Sequence, residues 1–170
     1  MSHTETRMAN DPAWPVPERP SWDEVGLLMS RTIARRTTCL RALEATDGLG
    51  IGAVLTELRS RRFLGVGYTG SLPEQPHCLD VGCLIVGSDP GCQRTIHAEM
   101  NALLFARDSG EPKVLYTTMS PCVKCLQHAI VKGVARVVFE RLYRVHGPQM
   151  ELCRASAVEW IHLPLGAVMP

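Results

Sequence analysis

The sequence predicts an α/β domain, and two observations support this fold class. Helix and strand patterns alternate from residue 97 to residue 140, which favours parallel strands joined by crossover helices. Two earlier apolar stretches, 51–55 and 63–68, flank a charged turn, and this spacing is typical of an antiparallel hairpin. The expected fold therefore has a hairpin in its first half and parallel strands in its second half.

Composition places the chain among ordinary globular proteins. It has 170 residues, of which 45% are hydrophobic and 21% are charged, and this suits one domain with a real core. The formal net charge of +1 gives no strong electrostatic case for binding nucleic acid or an anionic membrane. No apolar run approaches the length of a membrane span, so we expect no membrane association.

The first twenty residues are predicted to form a flexible N-terminal arm, since four prolines within them exclude a helix. They lack the apolar region of a secretory signal. A single domain is expected over residues 21–170. The chain also has seven cysteines, an odd number, which favours a reducing compartment and metal ligands over disulfides. We therefore expect a cytoplasmic protein.

The first helix is predicted to begin after Ser21, a good N-cap, with Asp23 and Glu24 in its first turn. An apolar stripe extends it to about residue 40, and a loop is expected over 43–50. Gly65 and Gly67 in the second strand are typical of positions that a ligand or another backbone approaches closely. Apolar patterns and turn signals predict the other elements, which are a long connection over 70–94, helices over 97–108, 122–132 and 148–155, and strands over 113–118, 136–140 and 157–162.

Two short motifs carry the chemistry. His97 and Glu99 form an H-x-E pair, and Pro121, Cys122 and Cys125 form a later P-C-x-x-C segment. A catalytic zinc takes three protein ligands and keeps one position open for water. One nitrogen and two sulfurs from His97, Cys122 and Cys125 meet that need, which leaves Glu99 free to act as a base.

Helix geometry restricts how these groups can meet. With Ser120 as N-cap and Pro121 at the first helical position, both sulfurs would lie in a first turn, where the dipole favours thiolate. His97 and Glu99 are two apart, so they converge only if His97 lies at the start of its own helix. We therefore predict two helix N-termini directed at one metal. Taken alone, the C-x-x-C pair also fits a redox pair or half of a structural zinc ribbon. The H-x-E pair alone fits any helix start.

The combined pattern is similar to the signature of zinc-dependent nucleobase deaminases. Further stretches resemble the deoxycytidylate (dCMP) deaminase family in the family's order, and they cover roughly residues 19–140. These stretches are 19–23, 38–41, 51–54, 67–70, 77–78, 82–84 and 92–99. The resemblance implies the cytidine-deaminase fold, a three-layer α/β/α arrangement with a central mixed five-stranded sheet. It also implies a homo-oligomer, often a hexamer, and a deoxynucleoside triphosphate effector.

The activity implied by this resemblance is hydrolytic deamination of a cytosine nucleotide, foremost dCMP to dUMP and ammonia. Zinc would activate a water molecule, and Glu99 would carry its protons. Two other enzymatic readings stay open, namely a modified cytosine nucleotide such as 5-substituted dCMP, and adenosine in tRNA. A zinc-stabilised binding module without catalysis is the alternative from another class, although such a site needs no unliganded carboxylate.

Substrate contacts follow mainly from the resemblance. The family usually has Asn where this chain has Thr69, and that Asn contacts the substrate's sugar. A threonine hydroxyl offers a different donor and acceptor set, so Thr69 is expected to affect substrate choice. Ala53 and Ser71 belong to the same predicted pocket, and Asn101 either bridges the active-site helix to the pocket loop or is a plain structural amide. Three arginines flank the motifs and are candidates for binding the 5′-phosphate: Arg41, Arg94 and Arg107.

Four further cysteines, Cys39, Cys78, Cys83 and Cys92, could form a second, closed tetrahedral zinc site. Some members of the family carry a structural zinc in this region, and a metal would explain how the 70–94 connection is held. His77 could replace one sulfur. The alternative is four reduced, partly buried thiols.

Overall fold

Five strands form the main sheet of the computed structural model, which describes residues 19–87, 91–143 and 147–166. The predicted arm over residues 1–20 lies outside these ranges except for its last two residues. In spatial order the strands are β2 (Phe63–Tyr68), β1 (Gly52–Glu57), β5 (Lys113–Met119), β6 (Val134–Arg141) and β7 (Glu159–His162). Two further strands, β3 (Gly70–Ser71) and β4 (Thr95–Ile96), pair separately.

The direction of the strands divides the sheet into two parts. β1 pairs antiparallel with both β2 and β5, whereas β5, β6 and β7 run parallel to one another. The predicted hairpin and the predicted parallel second half are therefore both confirmed. A parallel connection needs a crossover, and helices supply it between these strands. The helices of the described residues are α1 (Trp22–Ala34), α2 (Leu40–Glu44), α3 (Cys78–Val81), α4 (Ala98–Leu104), α5 (Val123–Val131) and α6 (Gly147–Ala155).

Helices cover both faces of the sheet. Leu27 of α1 packs on one face against alternate strand residues that include Val54, Tyr116 and Val138. Helices α4, α5 and α6 cover the other face, where Leu126 and Phe139 lie in the larger core. The three-layer α/β/α prediction with a mixed five-stranded sheet is confirmed. The longest of these helices has 13 residues, and none in the described ranges combines the length and hydropathy of a membrane crossing.

The first helix is shorter than predicted. Ser21 does form the predicted N-cap, as a capping box with Glu24, but α1 ends at Ala34 and not near residue 40. Beyond Ala34, hydrogen bonds attach the chain to the residues just before β1 and just after β2. The Thr37 hydroxyl accepts a hydrogen bond from the Ile51 amide (2.9 Å), and the Thr38 amide donates to the Thr69 carbonyl (3.1 Å). These bonds take the place of further i→i−4 hydrogen bonds of the helix. The chain then forms α2, whose last residues lie where a loop was expected from residue 43.

Glycines in β2 allow α4 to lie directly on the sheet. A Cβ at Gly67 would collide with backbone atoms of Ala98 and Ala102, and one at Gly65 would collide with the Ala102 carbonyl. The predicted close approach is therefore an approach of helix backbone to strand backbone. It fixes the height of the first turn of α4 above the sheet, and this turn carries Glu99.

We predict that Gly67→Ala lowers the free energy of unfolding by about 1–3 kcal/mol, because the added methyl group forces two packed backbones apart. The matched control is Gly110→Ala, since a Cβ there meets no atom within 4 Å. The control should change stability by less than about 0.5 kcal/mol. Urea denaturation measures both variants, and equal stability of Gly67→Ala and wild type would contradict this packing.

Candidate active site

His97 and the two motif cysteines meet at one point between two helix starts. His97 is the N-cap of α4, and Cys122 is the N-cap of α5. The His97 Nδ1 atom lies 3.7 Å from the Cys122 Sγ and 3.4 Å from the Cys125 Sγ. One potential ligand atom from each of the three residues lies within 4.8 Å of the others. The predicted convergence of two helix N-termini is confirmed.

The start of α5 differs from the prediction. Cys122, not Ser120, is the N-cap, so Pro121 precedes the helix. Ser120 and Pro121 have other contacts that hold them outside it. The Ser120 hydroxyl accepts a hydrogen bond from the Tyr143 amide (2.9 Å), and the Pro121 carbonyl accepts one from the Gln149 side-chain amide (2.6 Å). Helix α5 therefore begins later, with one sulfur on the cap residue itself and the other in the first turn.

The three groups of this cluster are electrostatically coupled. The Cys125 thiol and the neighbouring His97 stabilise the Cys122 thiolate and lower its pKa to about 4. That thiolate in turn raises the pKa of His97 to about 9. The Cys122 thiolate and burial together raise the pKa of Cys125. An imidazole and two sulfurs at these separations fit the three-ligand set of a catalytic zinc.

Glu99 lies beside this group without belonging to it. It is in the first turn of α4 and is only 4% exposed. Burial raises the pKa of the Glu99 carboxyl, although the neighbouring His97 acts in the opposite direction. A buried carboxyl with a raised pKa is a stronger proton acceptor than one in water, which suits it to general acid–base catalysis.

A cavity of about 800 Å³ opens above these groups. His97, Glu99 and Cys122 lie in its wall, together with the predicted substrate contacts Thr69 and Arg41. Segments 39–45 and 91–95 form much of the remaining lining. Its volume is within the range of small-molecule sites.

Two hydrogen bonds connect α4 to the pocket loop, which includes Tyr68 and Thr69 at the end of β2. The Thr69 hydroxyl, which is buried, accepts a hydrogen bond from the Ala98 amide (3.2 Å). The Asn101 side-chain amide donates to the Tyr68 carbonyl (2.8 Å), which is the bridging position that was one of its two predicted roles. Asn101 itself is not in the cavity wall. Its contact instead fixes the end of β2 relative to the helix that carries Glu99.

Four other predicted substrate contacts do not line the cavity: Ala53, Ser71, Arg94 and Arg107. Ala53 is fully buried in β1 between Gly67 and Thr117, so its side chain belongs to the core. Arg107 follows the C-terminal end of α4, where its amide donates to Leu64 at the far end of β2. Its position therefore does not support a phosphate contact at the opposite end of the helix.

Ser71 and Arg94 lie on and beside the small β3–β4 pairing. The Ser71 hydroxyl and the Arg94 Nε are buried and have no hydrogen-bond partner among the described residues. Neither lines the cavity, although residues 91–93 and 95 do.

A second group of sulfurs lies next to the cavity. Cys78, Cys83 and Cys92 have their sulfurs within 4.8 Å of one another, and Cys78 and Cys92 are 3.6 Å apart. Burial and the neighbouring Cys92 raise the pKa of Cys78 to about 12. Burial opposes ionisation of Cys92, but backbone hydrogen bonds from Arg94 and Leu84 prevail and lower its pKa. Cys92 also lines the cavity, so this thiol group adjoins the site.

The predicted four-cysteine set is incomplete in the structure. Cys39 is not within the group, because its buried sulfur accepts a hydrogen bond from the Thr95 hydroxyl (3.6 Å). His77, the alternative fourth ligand, does not join the group either. Cys153 is a buried core thiol, as expected.

Sequence reasoning missed several residues of the cavity wall, among them Glu44, Lys124 and Tyr143. Glu44 was missed because α2 was not predicted. Tyr143 follows β6, beyond the recognised motifs. A signal for Lys124 was available, since it lies between the two motif cysteines in a helical first turn.

Comparison with known proteins agrees with this geometry. A sequence model described as the cytidine and deoxycytidylate deaminase zinc-binding region matches residues 23–141. ComE operon protein 2 of Bacillus subtilis (strain 168) is 36% identical over 144 residues, which cover 83% of this chain and 70% of that protein. The deoxycytidylate deaminase of Mycobacterium phage D29 is 31% identical over 72% of this chain and 97% of its own length. That of Schizosaccharomyces pombe is 29% identical over 83% of this chain and 44% of its own length.

The fold has close structural counterparts. The dCMP deaminase of cyanophage S-TIM5, solved in complex with dCMP and dUMP, superposes with a TM-score of 0.67. It is 20% identical, and the match covers 86% of this chain and 100% of that one. The apo form of the same enzyme gives a TM-score of 0.62. The sequence match over residues 23–141, with the convergence of His97, Cys122 and Cys125, establishes that the chain belongs to the cytidine and deoxycytidylate deaminase family of zinc-dependent hydrolases.

Proposed function

We propose that this protein catalyses the hydrolytic deamination of a cytosine nucleotide, converting dCMP to dUMP and ammonia. The observation that carries the proposal is the buried carboxyl of Glu99 beside the His97, Cys122 and Cys125 group, with both facing one cavity. The deoxycytidylate deaminases among its relatives support the choice of substrate class.

In this proposal, the metal ligands would be the His97 imidazole and the sulfurs of Cys122 and Cys125, which lie close enough together to share one ion. When bound there, zinc supplies Lewis acidity that makes water a stronger nucleophile at neutral pH. The protein's part is to hold these three ligands at fixed separations. Both helices present their N-terminal ends to the site, where the helix dipole favours thiolates.

Glu99 would carry the protons of the reaction. It accepts a proton from the attacking water, whose oxygen bonds to C4 of the cytosine ring. It then delivers that proton to N3, takes the proton of the new C4 hydroxyl and passes it to the exocyclic amine. The C4–N bond breaks, the oxygen stays on C4 as a carbonyl, and ammonia leaves. Burial suits Glu99 to this exchange, because a raised pKa makes its carboxylate a stronger base than it would be in water.

A modified cytosine nucleotide, such as 5-substituted dCMP, is the second candidate substrate, because Thr69 offers a substrate different groups from the asparagine usual in the family. Its hydroxyl oxygen already accepts a hydrogen bond from the Ala98 amide. The remaining hydroxyl hydrogen can donate into the cavity, but this side chain cannot present both an amide donor and a carbonyl acceptor to a substrate. Recognition at this position therefore differs from that expected for an asparagine.

We also propose a structural zinc on Cys78, Cys83 and Cys92. Three sulfurs within 4.8 Å of one another fit part of a closed tetrahedral site. The three residues span the long connection between β3 and β4, so a metal there would hold the segment that lines the cavity. Cys39 and His77 do not join this group in the described residues, so neither is included in the proposed ligand set.

We predict that Glu99→Gln releases ammonia from dCMP about 10²- to 10⁴-fold more slowly than wild type, because glutamine fills the same space but carries no proton between water and ring. Zinc content and unfolding midpoint should stay unchanged. Glu151→Gln, an exposed site on α6, serves as the control and should retain activity. A Glu99→Gln rate within about tenfold of wild type would show that another group moves the protons.

We predict that Thr69→Asn changes the ratios of kcat/KM among dCMP, CMP and 5-methyl-dCMP, since the new side chain adds a donor and an acceptor at the pocket loop. Thr32→Asn on the exposed side of α1 is the control, and its ratios should match those of wild type. If Thr69→Asn scales all substrates by one common factor, position 69 does not determine specificity.

We predict two zinc ions per chain in the wild-type protein and one in Cys83→Ser, measured by elemental analysis with protein concentration determined independently. Cys39→Ser should retain two, because Cys39 lies outside the sulfur group. Loss of a zinc ion in Cys39→Ser with retention in Cys83→Ser would restore the ligand set expected from the sequence and refute the one proposed here.

A further inference from the structure

A buried glutamine on α6 holds the peptide bond that leads into the candidate metal ligand Cys122. The Gln149 side chain is only 2% exposed, and its Nε2 atom donates a hydrogen bond to the Pro121 carbonyl (2.6 Å). That carbonyl belongs to the peptide bond between Pro121 and Cys122. Because the peptide unit is planar, a bond that fixes its oxygen also fixes the Cys122 amide nitrogen. The contact therefore acts one residue away from a sulfur of the site.

Helix α5 holds the Cys122 backbone from its other side. The Cys122 carbonyl accepts a hydrogen bond from the Leu126 amide (2.9 Å), which is the first turn of the helix. Cys122 is the N-cap, and its side chain forms no capping hydrogen bond. The preceding Pro121 has no N–H group, so it cannot anchor this end by donating one. Gln149 supplies a contact on that side.

The amide of Gln149 is an expensive group to place in a core. A buried side-chain amide costs free energy unless it is hydrogen-bonded, whereas an apolar side chain packs without that cost. Cys153, one turn further along α6, is such an apolar contact with the larger core. The polar exception on the buried side of α6 is thus the residue that reaches the segment carrying a metal ligand.

Helix α6 is itself attached to the sheet, which makes it a suitable anchor. The Cys153 side chain is buried in the larger core, and its carbonyl accepts a hydrogen bond from the Val158 amide (2.9 Å) just before β7. Strand β7 in turn pairs with β6. The Gln149 contact therefore connects the Cys122 backbone to the sheet by a route that does not pass through α5.

We propose that Gln149 is a positioning residue of the metal centre. By holding the Pro121–Cys122 peptide, it keeps the Cys122 sulfur directed toward a metal ion shared with His97. The inference rests on the proposed function, because it takes Cys122 as a metal ligand. Without the amide donor the peptide is free to rotate, and the sulfur is no longer held 3.7 Å from the His97 Nδ1 atom. Loss of a group that orients a ligand typically weakens metal binding 10- to 100-fold.

The test replaces zinc with Co²⁺, whose visible absorption depends on the identity and geometry of its ligands. The part of the spectrum that is lost in Cys122→Ser defines the signal of this site. In Gln149→Met, which has a similar length but no donor, that signal should change in wavelength or intensity. The affinity of the site for Co²⁺, measured in competition with a chelator, should fall about 10- to 100-fold. Gln149→Asn keeps the amide but shortens its reach, so it should change both quantities in the same direction.

Cys153→Ala is the matched control, since it removes a core atom from the same helix without removing the Pro121 contact. It should lower stability, yet keep the wild-type cobalt spectrum and affinity. Wild-type spectra and affinities in both Gln149 variants would overturn the inference. An equal change in Cys153→Ala would overturn it as well, because any loosening of α6 would then suffice.

The cobalt measurement needs no turnover, so it separates this inference from the proposed function. A wild-type protein that shows the Cys122-dependent signal but releases no ammonia from any cytosine nucleotide would refute the function. The comparison of Gln149→Met with Cys153→Ala would then still decide whether Gln149 positions the ligand. A wild-type protein without any Cys122-dependent signal would refute both.

Discussion

The convergence of two helix starts on one point is the constraint on which the rest of the site depends. His97 and Cys122 are the cap residues of α4 and α5, so the separation of their ligand atoms is set by where the two helices lie on the sheet. Helix α4 reaches its position because Gly65 and Gly67 let its backbone lie directly on β2. Helix α5 is placed by the crossover between the parallel strands β5 and β6. The separation of these candidate metal ligands therefore depends on how the helices pack in the larger core.

The cavity wall combines a buried carboxyl with exposed side chains. Glu99 is buried against the core, and burial raises the pKa of its carboxyl. Arg41 and Lys124, in the same wall, are exposed to solvent. One small site therefore offers a ligand both a desolvated acid–base group and a solvent-exposed polar surface.

Much of the fold and the reacting groups could be predicted from the sequence, because both depend on local rules. Hydrophobic periodicity and turn residues located the sheet, and the spacing of His97 and Glu99 required a helix start that the structure contains. Errors occurred where tertiary contacts decide. The hydrogen bonds between Thr37 and Ile51 and between Thr38 and Thr69 end the first helix early, and no residue of that helix signals this.

The errors in the site have the same origin. Arg107 is near the motif in sequence, but one helix length separates it in space from the site. Cys39 looked like a fourth metal ligand, yet its sulfur is oriented toward Thr95. Lys124 was overlooked between two recognised cysteines, because its place in the cavity wall depends on which side of α5 faces the cavity.

The most direct test of the central claim follows the atoms of the reaction. Incubation of the purified wild-type protein with dCMP in water enriched in heavy oxygen should yield dUMP and ammonia in equal amounts, with heavy oxygen at C4 of the product ring. Mass spectrometry of the nucleotide and enzymatic quantification of ammonia measure both. Unchanged dCMP after prolonged incubation of the zinc-loaded protein would contradict the assignment of this centre as a cytosine nucleotide deaminase.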